Sequence, residues 1–440
     1  MKYYIKTFGC QMNHSDSERI SGFLEAEGHK PAQSLPEAAL VIFNTCGVRQ
    51  MAEDRVYGQI RNARLQGPKI KIILTGCLAN RLDVRKRLKD KVDLFFPIND
   101  FGLFENFIIG NCLEIRNSKL EISAQKSKPL NKESIAYLSI NPKHGNAYQA
   151  FVPIMTGCNN FCAYCVVPFA RGREVSRPAS EIIAEVKSLV KNGYKEIVLL
   201  GQNVNSYKDG KITFSKLVKK IDALPGTFWI NFVSNHPKDV TDEMIETVAK
   251  SQKVCECFHL PLQAGNDTVL RNMNRKYTQK DYLAIVQNIK AAYKKYKPEE
   301  LYSITTDIIV GFPGETKKQF LDSAEVMKKV GFDMVFFGQF SPRPGTAAWQ
   351  MKDNVSKTEK SRRAKYLNEI LKKSSLANNK KYAGKIMEVL IESEKDGSYF
   401  GRTRTMKNVK IKTATKNLIG RIIDVRITKA NTWNLEGTIK

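Results

Sequence analysis

The stretch Gly157-Cys158-Asn159-Asn160-Phe161-Cys162-Ala163-Tyr164-Cys165 constrains this chain more than any other. It follows directly on the strand-like residues 149–155, so three thiols sit in one loop at the carboxyl end of a strand. Three thiolates so close can wrap around an iron–sulfur cubane and ligate three of its four irons. Zinc is the competing occupant, but structural zinc sites close with four ligands, commonly as two spaced pairs. No fourth Cys or His follows in the loop, and the nearest histidine, His144, lies before the strand. A cubane held this way keeps one iron open to a small chelating ligand.

The strand before the triad opens a regular series. Strand-like runs at 149–155, 196–200, 228–233, 255–260, 302–310 and 334–340 alternate with helical stretches such as 180–191 and 279–293. Six such units predict a partial (β/α)6 barrel, since a complete one needs eight, with its functional groups at the carboxyl ends of the strands. A shorter series precedes it, with strands expected at 3–8, 40–44, 70–75 and 92–97. Its first helix is expected to open at Ser15-Asp16-Ser17-Glu18, a capping-box pattern. That alternation predicts a parallel sheet with covering helices.

The expected fold class is therefore α/β. A parallel-sheet amino-terminal domain (1–115) leads through a polar linker (116–146) to the partial barrel with a trailing basic helix over 357–381 (147–381). Short strand-like runs at 387–391, 399–405, 409–413, 419–428 and 435–439 then fit a small antiparallel β-barrel of the OB type over 382–440.

Cys10, Cys46 and Cys77 are scattered in sequence, yet each lies just past an expected strand of the first domain, in Phe8-Gly9-Cys10, Asn44-Thr45-Cys46 and Thr75-Gly76-Cys77. In a parallel sheet those loops share the edge where α/β proteins bind ligands. Spacing alone leaves two readings open: a second cluster with an open iron, or three buried small apolar side chains. Cys112, Cys255 and Cys257 form no third set and are expected in the core. The first residues carry no apolar stretch of signal-peptide type, and no window approaches the ~18 apolar residues of a membrane span. A cytoplasmic protein is expected, where structural disulfides are improbable.

Charge bears on partners. Lys+Arg number 71 against 44 Asp+Glu, a formal net charge of +27. So basic a chain repels itself when folded, which suits a polyanionic partner, although a generally Lys-rich composition is the plain alternative. Phosphate contacts are expected from the 357–381 helix and from Arg402, Arg404, Lys407, Lys410, Lys412 and Lys416, with Lys410 and Lys412 on one face beside Asn408.

The Cys158, Cys162, Cys165 spacing is the signature of radical S-adenosylmethionine (SAM) enzymes, and the chain as a whole resembles the radical SAM methylthiotransferases. The resemblance is carried by Gly9-Cys10-Gln11-Met12-Asn13, Asn44-Thr45-Cys46 and Gly76-Cys77-Leu78-Ala79 in the first domain. In the barrel it is carried by Cys165-Val166-Val167-Pro168-Phe169-Ala170-Arg171-Gly172-Arg173-Glu174, Leu199-Leu200-Gly201-Gln202-Asn203-Val204-Asn205, Leu260-Pro261-Leu262-Gln263-Ala264-Gly265, Val310-Gly311-Phe312-Pro313-Gly314-Glu315-Thr316 and Ser341-Pro342-Arg343-Pro344-Gly345-Thr346.

The resemblance implies two 4Fe-4S clusters, one on Cys158, Cys162 and Cys165 and an auxiliary one on Cys10, Cys46 and Cys77. It implies two SAM molecules, one a methyl source and the other a radical source, with Tyr164 near the SAM adenine. Gly201, Gln202, Gln263 and Gly311, at strand ends, are read as SAM or substrate contacts, with turn or packing roles as the alternative. No catalytic residue is identified beyond the cluster ligands. The last 60 residues resemble a TRAM domain, which binds RNA.

Residues 9–13 and 201–205 resemble the branch that methylthiolates C2 of N6-dimethylallyladenosine at position 37 of tRNA. The same chemistry on threonylcarbamoyl-adenosine tRNA or on a ribosomal-protein aspartate is the alternative, and a non-enzymatic iron–sulfur or zinc RNA-binding module is another. Implied partners are the tRNA anticodon loop, an electron donor and a source of sulfur or cluster, with no membrane and a monomeric chain. Asn80, Asn235 and Cys257 depart from the usual family residues; none is among the six cysteines, so the departures bear on fine substrate contacts rather than on the chemistry.

Overall fold

The computed structural model describes residues 1–47, 50–110 and 132–440. Leu40–Thr45 is buried at every position, as a strand covered on both faces by helices must be. It sits at the centre of a five-stranded sheet in the order Lys30–Pro31, Lys2–Thr7, Leu40–Thr45, Lys71–Gly76, Leu94–Phe95, and every pairing is parallel. Separate apolar clusters cover its two faces. Part of the expected linker belongs to one of them. Lys132–Ser139 is a 3-10 helix, and Tyr137 and Leu138 are buried with Phe101 and Phe104. Residues 116–131 of that linker, and Cys112, lie outside the described residues.

The first helix departs from expectation. It spans Gln11–Ala26 with Cys10 at its N-cap and no side-chain cap. Ser15, Asp16 and Ser17 are therefore mid-helix and buried. They do not cap; they form a polar seam to neighbouring elements. Ser17 bonds Thr7 and Asn44, Asp16 pairs with Arg171, and Arg19 pairs with Glu185. A capping pattern and a buried polar helix face use the same residue types, and only the partners tell them apart.

The second domain is an open arc of six parallel strands. Trp229–Phe232, Glu196–Leu200 and Gln149–Pro153 form one sheet, and Cys257–His259, Ser303–Val310 and Met334–Gln339 another. An isolated parallel bridge, Ile230 to Val254, links the two. Ile197 and Leu199 share a core with Ile182 and Val186 of the covering helix Ala179–Lys191. Val198 and Leu200 turn inward, where Met12 of the first helix packs with them and Phe151. The amino-terminal domain thus reaches into the arc. Cys255 and Cys257 are buried.

The carboxyl-terminal strands Ile386–Lys395, Ser398–Thr403, Asn408–Lys412, Ile422–Ala430 and Leu435–Ile439 close into a barrel. It is not wholly antiparallel. Asn408–Lys412 pairs in parallel with Leu435–Ile439, the pairing that joins the two ends of the sheet. The barrel docks against the amino-terminal ends of the second domain's strands. Among the described residues, no helix is long and apolar enough to cross a membrane.

Candidate active site

Both cysteine trios lie at carboxyl ends of parallel strands, as βα topology dictates for loops entering a helix. The loop after Met155–Thr156 carries Cys158, Cys162 and Cys165. It can fold there because Gly157 adopts φ +78°, and a Cβ at that position would lie 1.9 Å from the Arg173 carbonyl oxygen. Backbone bonds pin the loop on several sides: Cys158 N to Gly172 O (3.2 Å), Ala163 N to Met273 O (2.9 Å) and Ala348 N to Ala163 O (2.7 Å). Arg275 Nη1 donates to Cys162 Sγ at 3.3 Å.

The second trio converges from three loops. A Cβ on Gly9 would meet Cys46 Cβ at 2.7 Å, and one on Gly47 would meet Cys77 Cβ at 3.2 Å. Cys10 Sγ donates to Asn13 Oδ1 at 3.2 Å, and Asn13 Nδ2 in turn bonds Asn44 Oδ1 at 2.8 Å. Cys77 and Cys10 are near enough for their charges to interact. The two trios also approach each other. Gly47 lies against Val166, Cys77 and Cys165 feel each other electrostatically, and Asn80 Nδ2 donates to Ala170 O at 3.3 Å.

These residues suit an iron–sulfur cubane. Burial pushes the thiols of Cys158 and Cys77 up, and burial with the neighbouring Cys162 pushes Cys165 up to about 12. Thiols so desolvated ionise when a cationic centre compensates them. Among the described residues, no three His, Cys, Asp or Glu side chains stand close enough to share a single metal ion. A cubane is broader than one ion and takes ligands set further apart.

The polar residues at the neighbouring strand ends have unused hydrogen-bonding capacity. Gln202 Oε1, Asn203 Oδ1, Asn235 Oδ1 and His236 Nε2 are all buried without a partner, the signature of a site that expects a polar ligand. Asn203 and His236 were not singled out in the sequence, and Asn235 only as a departure from the usual family residue, although their strand-end positions were the available signal. Tyr164 packs against the main core, partly buried. Gly201 lies where a Cβ would strike Met155, and Gln263 adopts φ +65° beside Asp307. Gly311 has a different setting. It is buried against the Lys360 side chain, and its amide donates to Glu315 at 2.7 Å, so its contacts are those of a turn.

Three of the expected phosphate-binding residues are engaged elsewhere. Arg402 pairs with Glu196 and Glu392, Arg404 with Glu256, and Lys407 with Asp333. They hold the small barrel to the foot of the larger one. In the trailing helix Lys357–Lys380, Lys360 and Arg363 are likewise buried, paired with Asp353 and Glu315. Lys412 and Lys416 remain exposed, and Lys410 is half-buried on the same strand face as Asn408 and Lys412. A cavity of about 480 Å³ lies between the two barrels, lined by Glu256, Lys297, Lys385 and Arg404, away from both cysteine trios.

An arc of parallel strands with a three-cysteine loop after the first defines a radical SAM enzyme, and residues 152–339 match the Radical SAM superfamily. Residues 2–97 match Uncharacterized protein family UPF0004, and residues 380–440 match the TRAM domain. The chain is 41% identical over 448 residues to a tRNA-2-methylthio-N(6)-dimethylallyladenosine synthase of Clostridium botulinum, covering 99% of this chain and 96% of that one. It is 40% identical to the Thermoanaerobacter pseudethanolicus protein of the same name, covering 99% and 92%. The chain belongs to the radical SAM methylthiotransferase family of that synthase type. Among solved structures, a radical S-adenosylmethionine methyltransferase from Kitasatospora setae matches with a TM-score of 0.58 at 12% identity, covering 90% of this chain and 79% of that one, a likeness of fold.

Proposed function

We propose that this chain adds a methylthio group to C2 of N6-dimethylallyladenosine at position 37 of tRNA. The observation that carries the reading is the meeting of two cysteine trios from separate parallel sheets, with Gly47 packed between Cys77 of one trio and Val166, next to Cys165 of the other. Identity of about 40% along the whole chain to synthases of that nucleoside supports the substrate.

Cys158, Cys162 and Cys165 would hold one 4Fe-4S cluster, and Cys10, Cys46 and Cys77 the auxiliary one. When bound, the first supplies reductive cleavage of SAM and the second supplies sulfur, methylated from another SAM. The chain's own residues bind and orient. Gln202 Oε1 and Asn235 Oδ1, buried and unpartnered, are acceptors for polar groups of SAM or the nucleoside. Tyr164, between two cysteines and against the core, supports the SAM adenine. Gly201 keeps the backbone close to Met155 at the second strand end.

Position 37 lies in a loop, so its base is reached without opening a duplex. Lys410, Lys412 and Lys416 meet phosphates. Residues 1–115 together with Lys132–Ser139, 147–381 and 382–440 act as the sulfur-holding, radical and RNA-binding parts. The chain works in the cytoplasm as a monomer, with an electron donor and a sulfur or cluster source.

The test is mass spectrometry of tRNA nucleosides from a strain lacking the gene. Loss of the methylthio-prenyladenosine peak, with prenyladenosine accumulating, is expected. Persistence of that peak rejects the substrate.

A further inference from the structure

The two halves of the arc differ on their inner face. In the first half, Met12 fills the space beside Phe151, Val198, Leu200 and Val233. The second half presents polar and aromatic groups. Thr306 bonds Tyr282 of the covering helix Gln279–Tyr296, and Ile304 and Ile308 join the core beneath it. Side chains alternate along a strand, so Thr305 and Asp307 face inward. Register pairs His259 with Thr305 and Asp307 with Phe336, which brings all four to that inner face.

The group is ordered around one carboxylate. His259 contacts Thr305 Oγ1 through Nδ1 at 2.9 Å and Asp307 Oδ2 through Nε2 at 3.1 Å. Its ring meets Phe336 edge-on, with centroids 6.1 Å apart. The histidine side chain is 14% exposed, whereas that of Asp307 is 38% exposed. Among the described residues Asp307 Oδ1 has no partner. Phe336 is 50% exposed, an unusual state for a phenylalanine on the inner face of a barrel strand.

A flat apolar ring beside a part-exposed carboxylate on the same inner face matches the two features of a nucleobase that carries an N–H. Resting on the function proposed above, we infer that Phe336 and Asp307 form the wall that reads the target base. Phe336 stacks on the adenine, and Asp307 Oδ1 accepts the single N–H that an N6-alkylated adenine retains. His259 and Thr305 hold the carboxylate in place. The wall grips the base by its face and its N6 edge, leaving C2 free of it.

Binding of anticodon stem–loop RNAs to the anaerobically reconstituted enzyme tests this. Three RNAs carry, at position 37, N6-dimethylallyladenine, N6,N6-dimethyladenine (no N6–H) or no base. The wild type is expected to bind the prenylated RNA best and the abasic one worst, by roughly 5- to 150-fold, the range of one base–aromatic stack. Phe336→Ala should erase the preference for a base over none, and Phe336→Tyr should keep it. Asp307→Ala should erase the preference for the prenylated over the dimethylated base. Phe336 is half-exposed, so its truncation opens no core cavity, and iron content and thermal midpoint should stay at wild-type values. The wall is overturned if the wild type binds abasic RNA as well as prenylated RNA, or if both alanine variants keep full preference. Absence of methylthio product from the wild type would instead count against the proposed function, while the binding comparison still decides the wall.

Discussion

Desolvation sets the chemistry of single residues here. Cys165, held up to about 12 by burial and by Cys162, and Cys158, raised by burial, stay protonated at neutral pH until a cationic centre binds. With two cubanes the protein should carry roughly eight irons. Cys162→Ala should keep about half of them and release no 5′-deoxyadenosine, and iron analysis showing no loss would remove Cys162 from the ligand set. His236 is pushed down to about 2 by burial, aided by Arg275 and Lys238. Unfolded, it takes a proton near pH 6.5 that the folded chain refuses. Stability from this group is therefore complete above that pH and declines below it, by at most about 1.4 kcal/mol per pH unit. Urea unfolding between pH 7 and 5 should show that decline, and His236→Gln should flatten it.

Among elements, the docking of the small barrel is the part that sequence reading misassigned. Arg402, Arg404 and Lys407 look like the basic edge of an RNA-binding module when only their own neighbours in sequence are considered. Their partners, Glu196, Glu256 and Asp333, lie some 70 to 200 positions away, at the starts of barrel strands. An acid at the start of an otherwise apolar strand was the one available signal. Glu256 is driven up by burial, but Arg404 and Lys297 outweigh that and leave it lowered, so the Arg404–Glu256 pair holds at neutral pH and weakens only in acid. Truncating one member of a buried pair strands the other, at a cost of about 3–5 kcal/mol. Arg404→Ala should therefore lower the denaturation midpoint. Lys410→Ala and Lys412→Ala should leave it unchanged and instead weaken tRNA binding, reducing the log–log salt slope by about 0.7 for each loop phosphate that is no longer neutralised. The opposite pattern would return Arg404 to the RNA.

At the scale of the whole molecule, the amino-terminal domain must hold its cysteines against the mouth of the barrel. Asp16 and Arg171, both buried, form one of the ion pairs that cross this junction, the one beside Cys77. Asp16→Ala should leave SAM cleavage intact while sharply lowering methylthio-nucleoside formation. Equal loss of both would show that the pair serves overall folding rather than alignment.

Strand positions, the three-part organisation and the cysteine spacing were legible in the chain because each is local. Apolar runs of the right length make strands, Gly157 permits its turn, and βα order alone sends Cys10, Cys46 and Cys77 to one sheet edge. What only the tertiary structure decided is which polar groups meet. Ser15, Asp16 and Ser17 bury instead of capping, Lys132–Ser139 packs into a core instead of linking, and three basic residues face carboxylates instead of solvent. A charged side chain reads the same in sequence whether its partner is water, phosphate or a buried acid. The choice rests on desolvation and pairing, which exist only once distant segments have been brought together.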